Sequence, residues 1–246
     1  MPFTPAHTAI VLPLAGSKRF SFTALIAGSM VPDFEFFFRM REVDNIGHQW
    51  YGVLLFDFPV ALLCCYLFHN LLRNLFLDNM PSIIRRKFMD VYDFNWNQYS
   101  AGHKLIVTVS LLTGIATHIL WDGFTHYDGI FAELIPALSN KTGIPGFNVP
   151  VYFLLQLLSS VIGLMIIAYA IYRIPAGNKE TKVIRKKIYW PMFIVVLSVL
   201  LAIRLILWSE YNSFWSVFMA VMGAFCYSWL VVSVIFNFFL FKKSSI

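Results

Sequence analysis

Charged residues are scarce in this sequence: Asp, Glu, Lys and Arg together make up 13% of its 246 residues. Hydrophobic residues account for 59% and aromatic residues for 17%, and the mean hydropathy is +0.68. A soluble globular domain usually carries about 25% charged residues, so this composition excludes that class. The chain is therefore predicted to be an integral membrane protein.

Cysteine is equally scarce, because Cys64, Cys65 and Cys226 are the three in the chain and all lie in apolar stretches. A thiol there behaves as a small hydrophobe, so no disulfide is expected. Pro/Gly/Ser-rich linkers, low-complexity runs and repeats are missing too, which predicts a single membrane domain over residues 1–246. The N-terminus lacks the regions of a secretory signal peptide, so the mature chain is expected to begin at or near Met1.

Apolar runs long enough to cross a bilayer indicate the fold class. A hydrocarbon core about 30 Å thick requires about 20 apolar residues in each helix. The runs that come close to this length lie near residues 49–72, 104–121, 150–173, 188–208 and 216–241. Shorter runs near 5–15 and 21–38 are interrupted by proline, glycine and charged residues. We predict an all-α, polytopic helical bundle with about five transmembrane helices, preceded by short interfacial or re-entrant helices; a full span by 21–38 is the alternative.

Positive charge is concentrated in two segments between the predicted spans, near residues 73–104 and 173–187. The positive-inside rule places both segments in the cytoplasm, so residues 1–48 and the loop 122–149 lie outside. The cytoplasmic segments account for much of the net charge of +6. Because no basic patch is interleaved with aromatic residues, membrane lipid is the expected partner and nucleic acid is not.

Three potential metal ligands, His118, Asp122 and His126, follow one another at intervals of four residues at the end of the second apolar run. Each interval turns an α-helix by about 40° and rises about 6 Å, so the three side chains share one face. The outer two are about 12 Å apart along the helix, too far for one ion. Asp122 is therefore a candidate to bridge two ions, as carboxylates do in two-metal sites.

Counting the predicted spans places further candidate ligands on the same side of the membrane as His118, Asp122 and His126. Two spans separate residues 1–48 from the loop after 122, so both regions lie on the same side of the membrane. Pro32 is expected to end a helix and to leave Asp33 on an exposed turn. The candidate metal ligands are His7, Asp33, His48, His118, Asp122 and His126. Imidazole nitrogen and carboxylate oxygen suit a divalent cation, with zinc first and manganese or iron as alternatives, in one to three ions.

Four motifs carry a resemblance to a known family. They are Thr-Pro-x-His at 4–7, Gly-Ser-Met-x-Pro-Asp-Phe-Glu at 28–35, a lone His48, and His-x-x-Trp-Asp-x-x-Thr-His at 118–126. Together they resemble a bacterial membrane family catalogued as domain of unknown function 4184, over nearly the whole chain. That family is similar to inner-membrane metal-dependent hydrolases, and distantly to the superfamily of zinc-dependent phospholipase C and single-strand-specific nucleases. The resemblance implies a multi-pass protein of the bacterial cytoplasmic (inner) membrane.

The same resemblance implies roles for individual residues. Asp33, the His48 that follows fifteen residues later, and the His118 and Asp122 pair would build a central metal site, with His7 nearby. His126 would serve a further metal. Two features depart from the superfamily pattern: its N-terminal Trp is missing, and no second His-x-x-x-Asp pair follows His126.

The function hypothesis is hydrolysis of a phosphoester or phosphodiester in a lipid headgroup or lipid-linked substrate at the extracytoplasmic face. Asp33 and Asp122 are the candidate catalytic residues, with Asp33 orienting or deprotonating the attacking water. Two alternatives come from other classes. One is a transporter or channel for metal ions or protons, lined by Asp57, Arg204 and histidines. The other is a scaffold whose metal site staples the N-terminal segment to the bundle.

Overall fold

The computed structural model describes residues 3–42, 46–177 and 186–240, and these residues are helical apart from turns and two isolated β-bridges. The α-helices are α1 Thr8–Val11, α2 Phe22–Met30, α3 Phe34–Arg39, α4 Phe58–Leu67, α5 Arg73–Asn79, α6 Ser82–Arg85, α7 Trp96–Gly102, α8 Lys104–Thr125, α9 Ile130–Leu134, α10 Pro136–Ser139, α11 Val151–Arg173, α12 Lys186–Leu207 and α13 Phe214–Ile235. The 3₁₀ segments are Thr4–His7, Leu12–Leu14, Val31–Asp33, Arg86–Val91 and Ser209–Tyr211, and the π-helical segments are Val53–Asp57, Phe68–Leu72 and Phe236–Leu240. The predicted all-α class is confirmed.

Within the described residues, five helical stretches are long and apolar enough to cross a membrane, with mean hydropathies from 1.6 to 2.4. They are Val53–Asn79, Lys104–Leu134, Val151–Arg173, Lys187–Leu207 and Phe214–Phe238. The chain is therefore a multi-pass membrane protein by length and composition. The short N-terminal helices contribute no candidate span, so the alternative of a full span by 21–38 is not realised in the described chain.

The first two spans differ most from the predicted positions near 49–72 and 104–121. The first begins at Val53 instead of residue 49, because residues 47–51 form turns, and it continues to Asn79 through two π-helical segments. The second was predicted to end at residue 121, but α8 continues to Thr125. At the C-terminal ends of both spans polar residues extend the helix beyond its apolar part, which hydropathy does not detect.

The chain divides into two compact units. The first comprises Met1–Asp33, Gly47–Leu62 and His103–Ile174, and the second comprises Phe34–Ile46, Leu63–Gly102 and Pro175–Ile246. All six residues of the predicted metal site belong to the first unit. The predicted single-domain organisation stays a prediction.

Close contact between α2 and α8 organises the first unit. A Cβ atom at Gly114 would lie 2.7 Å from the backbone nitrogen of Ser29 and would also collide with the carbonyl oxygen of Leu25. Gly28 meets the carbonyl oxygen of Leu111 in the same way. Small residues at such crossings let two helix backbones approach within van der Waals contact. This contact determines where the end of α2 lies relative to α8.

The N-terminal turn is held against α11. A Cβ atom at Gly163 would lie 2.8 Å from the carbonyl oxygen of Ala6, so the turn rests directly on the helix backbone. The backbone N–H of Phe3 donates a hydrogen bond to Ser160 Oγ at 2.8 Å. Together these contacts position His7, the next residue after Ala6.

In the second unit, α12 and α13 pack along an aromatic core. Its buried residues are Leu75, Tyr189, Phe193, Val232 and Phe236. The short helix α3 lies on α13, where Gly223 meets the carbonyl oxygen of Phe37, and the Tyr227 hydroxyl donates to the carbonyl of Phe38 at 2.9 Å. These contacts hold the end of α3 in a defined position.

We predict that Gly114→Ala destabilises the protein by about 1–3 kcal/mol, because the added methyl group forces α2 away from α8. The measurement is the free energy or midpoint temperature of unfolding in detergent. Gly102→Ala is the matched control, since a Cβ atom there meets nothing within 4 Å. Equal unfolding midpoints for the two variants would contradict the close helix contact.

Candidate metal centre

The N-terminal 3₁₀ turn Thr4–His7 brings the first imidazole to the centre. Pro5 occupies the first turn, where its fixed φ favours a helical start and its missing N–H costs no hydrogen bond. His7 is 4% exposed. The hydroxyl of Thr4 donates a hydrogen bond to Asp33 Oδ2 at 2.5 Å, so the same turn also orients a carboxylate.

Asp33 lies at the end of the 3₁₀ segment Val31–Asp33, which follows α2. As predicted, the helix ends just before Pro32. The prediction that this turn is exposed was wrong, because Asp33 is 0% exposed. The turn is covered by the Thr4–His7 segment and by α8, which sequence alone does not show to be neighbours.

His118 is placed on α8 by a bond to the end of α2. Its Nδ1 lies 2.8 Å from the carbonyl oxygen of Ser29, which can only accept a hydrogen bond, so Nδ1 carries the proton. In the neutral ring Nε2 is then unprotonated and available as a ligand, which is the usual arrangement of a metal-binding histidine. The α2–α8 contact thus determines the tautomer of His118.

The two carboxylate oxygens of Asp122 face different imidazoles. Oδ1 lies 3.3 Å from His7 Nε2. Oδ2 lies 3.1 Å from His48 Nε2 and 3.3 Å from His118 Nε2. Asp33 Oδ1 approaches the same two imidazoles, at 3.8 Å from His48 Nε2 and 3.4 Å from His118 Nε2. Five side chains from four separate parts of the sequence therefore converge on one region.

Four of these side chains can hold a metal ion. Asp33, His48, His118 and Asp122 each offer one ligand atom, and the four atoms lie within 4.8 Å of one another. In a tetrahedral zinc site with bonds of about 2.0–2.1 Å, neighbouring ligand atoms are about 3.3 Å apart. The four histidine–aspartate separations, 3.1 to 3.8 Å, are close to that distance, and every pair of ligand atoms lies within 4.8 Å. The donor set suits zinc, manganese and iron, so the geometry does not select among them.

Buried polar atoms support the same interpretation. His7 Nε2, Asp33 Oδ1, His118 Nε2 and Asp122 Oδ1 are buried and make no hydrogen bond to the described part of the chain. Leaving a buried polar atom unsatisfied costs about 1–3 kcal/mol. These atoms face one another across the cluster, so a cation among them would satisfy several at once.

His126 lies beside the four-residue cluster but is not part of it. Its Nδ1 is 3.1 Å from the backbone carbonyl oxygen of Asp122 and 3.7 Å from Asp122 Oδ2. The residue caps the C-terminal end of α8. Its side chain is 21% exposed and that of His48 is 25% exposed, whereas the other ligands are nearly inaccessible. The centre is therefore open on the side of these two imidazoles.

Electrostatics keep the N-terminal ligands in their metal-binding forms. Burial, followed by the nearby His118 imidazole, lowers the pKa of His7 to about 3, so His7 is neutral at pH 7. Burial alone would raise the pKa of Asp33, but in the metal-free centre the positive charge that His118 carries when both ring nitrogens are protonated lies 3.4 Å away, outweighs burial and lowers that pKa below its ordinary value. A neutral imidazole and an ionised carboxylate are the forms that bind a cation.

Other polar residues considered from the sequence lie outside the cluster. Glu35 forms an ion pair with Arg39 at 2.8 Å and accepts a hydrogen bond from the backbone of Ile46. Asp57 was expected eight residues inside the first span, but the span begins at Val53, so Asp57 lies one turn from its start. Its Oδ1 would be 3.0 Å from a Cβ atom at Gly47.

Sequence reasoning missed the two groups that orient the ligands, the Thr4 hydroxyl and the Ser29 carbonyl. Thr4 belongs to the Thr-Pro-x-His motif at 4–7, but nothing in the sequence indicates that its hydroxyl lies next to Asp33. A backbone carbonyl has no sequence signature at all. Both contacts join residues far apart in the chain, 29 and 89 positions respectively.

The family model described as Domain of unknown function (DUF4184) matches residues 1–235. The chain belongs to this family. No curated protein and no solved structure gives a significant match. Asp33, His48, His118 and Asp122 all lie within the matched residues.

We predict that Asp122→Asn abolishes stoichiometric metal binding, because one carboxylate supplies oxygen atoms to both sides of the cluster and the amide cannot replace its charge. Elemental analysis of the purified protein measures bound metal per chain. Asp128→Asn is the matched control, since Asp128 is exposed six residues further along. Wild-type metal content in Asp122→Asn would contradict the assignment.

We predict that the metal-free protein loses stability as the pH falls from 6.5 to 5. The pKa of His7 is about 3 when folded and about 6.5 when unfolded, so the unfolded chain takes up a proton that the folded chain rejects. The cost is roughly 2 kcal/mol over this window. The Asp33 shift acts in the same direction at lower pH, because its pKa is also lowered on folding.

Unfolding midpoints measured against pH check this prediction. His7→Asn should reduce the slope between pH 6.5 and 5, whereas the control His103→Asn, at an exposed position, should leave it unchanged. A wild-type slope in His7→Asn would show that another group is responsible.

Proposed function

We propose that this protein is a membrane-embedded, metal-dependent hydrolase of a phosphoester or phosphodiester in a lipid or lipid-linked substrate. The observation that carries the proposal is the buried convergence of Asp33, His48, His118 and Asp122, with ligand atoms within 4.8 Å of one another. The distant similarity of the family to zinc-dependent phospholipase C, inferred from the sequence motifs, supports the same proposal. Fold alone does not specify a reaction, so the proposal rests on the site.

A divalent cation at this centre would supply Lewis-acid activation of water and neutralise charge on a phosphoryl group. Zinc is our first choice, because imidazole nitrogen and carboxylate oxygen are its common ligands where cysteine is lacking. Manganese and iron accept the same donors. The split arrangement of Asp122, with Oδ1 toward His7 and Oδ2 toward His48 and His118, favours a bridging role between two ions.

Asp33 is the proposed residue that orients or deprotonates the attacking water. The Thr4 hydroxyl donates a hydrogen bond to Asp33 Oδ2, and Asp33 Oδ1 faces the centre of the cluster. The lowered pKa keeps the carboxylate ionised at neutral pH, so it can accept a hydrogen bond from water. Asp122 is the proposed central ligand, because each of its oxygens faces the centre.

Substrate would reach the centre past His48 and His126, the two partly exposed imidazoles. We propose that this side faces the exterior of a bacterial cytoplasmic membrane, because the basic segments near 73–104 and 173–187 favour the cytoplasm. A phosphorylated lipid headgroup at the outer surface would meet the centre at the ends of the spanning helices.

A structural metal site that holds the N-terminal turn against the bundle is the second candidate, and a specific observation favours it. His7 and Thr4 from the N-terminal turn contact Asp122 and Asp33, so a metal here would tie that turn to α8. A structural zinc site is closed by four protein ligands, whereas a catalytic site keeps one position for water. Asp33, His48, His118 and Asp122 offer four ligand atoms, which also favours the structural site. The partial exposure of His48 and His126 supports the catalytic alternative.

The test is hydrolysis by the full chain, purified in detergent and loaded with zinc or manganese. The substrates are bis(4-nitrophenyl) phosphate and short-chain phosphatidylglycerol. We expect turnover that chelation removes and added metal restores. Asp33→Asn should lower kcat by on the order of a hundredfold or more, while Asp128→Asn should retain wild-type turnover.

Chelation distinguishes the two candidates. If the metal is structural, the protein hydrolyses neither substrate even with one full equivalent of bound metal. Removing that metal with a chelator still lowers the unfolding midpoint. That outcome would overturn the hydrolase and support the structural site. Turnover that is equal in wild type and Asp33→Asn would overturn the role of Asp33.

A further inference from the structure

We propose that apolar side chains beside the open side of the metal centre form a surface that inserts into the lipid bilayer at the level of the headgroups. They are Trp50, Tyr51, Tyr127, Ile130 and Leu134, and all belong to the first unit, as the metal cluster does. Insertion of this surface does not depend on any reaction. Its consequence, that substrate reaches the centre directly from the bilayer, rests on the proposed hydrolase.

The surface begins at the two partly exposed imidazoles. Trp50 and Tyr51 follow His48 by two and three residues, and Tyr127 directly follows His126. The ring centroids of His48 and His126 are 6.3 Å apart. Both apolar segments therefore start at the same side of the metal centre, which is the side on which the centre is open.

The five side chains are unusually exposed for large apolar groups, from 41% for Tyr51 to 85% for Trp50. Single exposed hydrophobic residues are ordinary, but a group of large ones indicates a surface that contacts something other than water. The rings of Trp50 and Tyr51 pack edge to face, with their centroids 5.7 Å apart. This aromatic pair and the apolar side chains of α9 therefore need an apolar partner.

The helix α9 folds back onto the end of α8, because residues 126–129 form a turn between the two helices. The rings of Phe124 and Phe131 stack with their centroids 4.0 Å apart. In a straight helix, residues seven positions apart would lie about 10 Å apart along the axis. A straight helix over Lys104–Leu134 would also measure about 46 Å, more than a hydrocarbon core of about 30 Å. The turn therefore keeps α9 at the surface of the membrane.

One side of α9 is packed, and the other is apolar and exposed. Ala132 is buried, and a Cβ atom at Gly123 of α8 would lie 3.0 Å from the ring of Phe131. Ile130 and Leu134 are four residues apart, so they share a face of the helix, and both are exposed. The described residues leave this face largely uncovered.

Continuity with the lipid-facing surface of the spans identifies the bilayer as the occupant. Leu54 in the first span and Leu120 in α8 are exposed apolar residues of helices long and apolar enough to cross a membrane. Trp50 and Tyr51 lie just before the first of these helices, where such residues typically mark the membrane–water interface. A short helix with an exposed apolar face lies in the same interface. A lipid headgroup in contact with this surface would therefore be next to the metal centre.

The first test measures insertion by fluorescence quenching. The full chain, with alanine replacing its three cysteines, carries Leu134→Cys or Lys141→Cys labelled with bimane. It is reconstituted into phosphatidylcholine vesicles whose acyl chains carry bromine near the headgroup. We expect about twofold stronger quenching at residue 134 than at the exposed, charged position 141, because an interfacial helix buries its apolar face about 5–10 Å deep.

Equal quenching at the two positions would overturn the proposal. An unquenched label at residue 134, in vesicles where the protein crosslinks as a dimer, would also overturn it, because the face would then be covered by a second copy of the chain.

The second test compares two substrates of the metal-loaded protein, phosphatidylglycerol in vesicles and bis(4-nitrophenyl) phosphate in water. The double variant Ile130→Asn, Leu134→Asn should raise KM for vesicle phosphatidylglycerol about tenfold, because two apolar side chains lose their contact with lipid. Its KM for the soluble diester should stay at the wild-type value. Glu133→Gln, exposed on the same helix, is the matched control and should retain both values.

Wild-type KM values for both substrates in the double variant would overturn the role of this surface in supplying substrate. If the double variant does not fold, Trp50→Ala in the other segment provides the same comparison. If the wild-type protein hydrolyses neither substrate, the hydrolase is overturned, and quenching at residue 134 alone decides whether the surface inserts.

Discussion

The burial of the Asp122 carboxylate at the end of an apolar helix is the constraint on which the first unit depends. A buried carboxylate is costly unless it is paired or coordinates a cation. Here it is 3% exposed and lies within 3.3 Å of His7, His48 and His118. Each of those imidazoles comes from a different segment, so satisfying one charge requires the N-terminal turn and the segment before the first span to meet α8.

Close packing of helix backbones makes this meeting possible. Gly114 and Gly28 allow α2 to lie directly on α8, which puts the Ser29 carbonyl within 2.8 Å of His118 Nδ1. The same approach carries the turn after α2, and with it Asp33, to the cluster. Packing and chemistry are therefore coupled. Gly114 and Gly28 permit the close helix contact, and this contact determines the tautomer of His118, one helical turn from Gly114.

The second unit shows a related use of a buried charge. Arg204 sits near the end of a spanning helix and is held by the Met40 carbonyl, which is presented by an unfavourable backbone conformation with a φ of 54°. Unfavourable backbone geometry persists only where surrounding contacts enforce it. Here the close backbone contact at Gly223 and the hydrogen bond from Tyr227, both between α3 and α13, hold the end of α3 in this conformation. Both units thus place ionisable groups near helix ends, where turns supply the polar partners that satisfy them.

Residue order by itself determined that the chain crosses the membrane several times and that His7, Asp33, His48, His118 and Asp122 can share one side of it. Hydropathy and span parity depend only on the sequence of segments. Tertiary structure alone decided that Asp33 is buried, that His126 stands beside the cluster, and that Arg204 meets the carbonyl of Met40. These features depend on how closely separate backbones approach one another. Gly28, Gly114 and the backbone conformation of Met40 control those approaches, and none of the three has a distinctive signal in a single sequence.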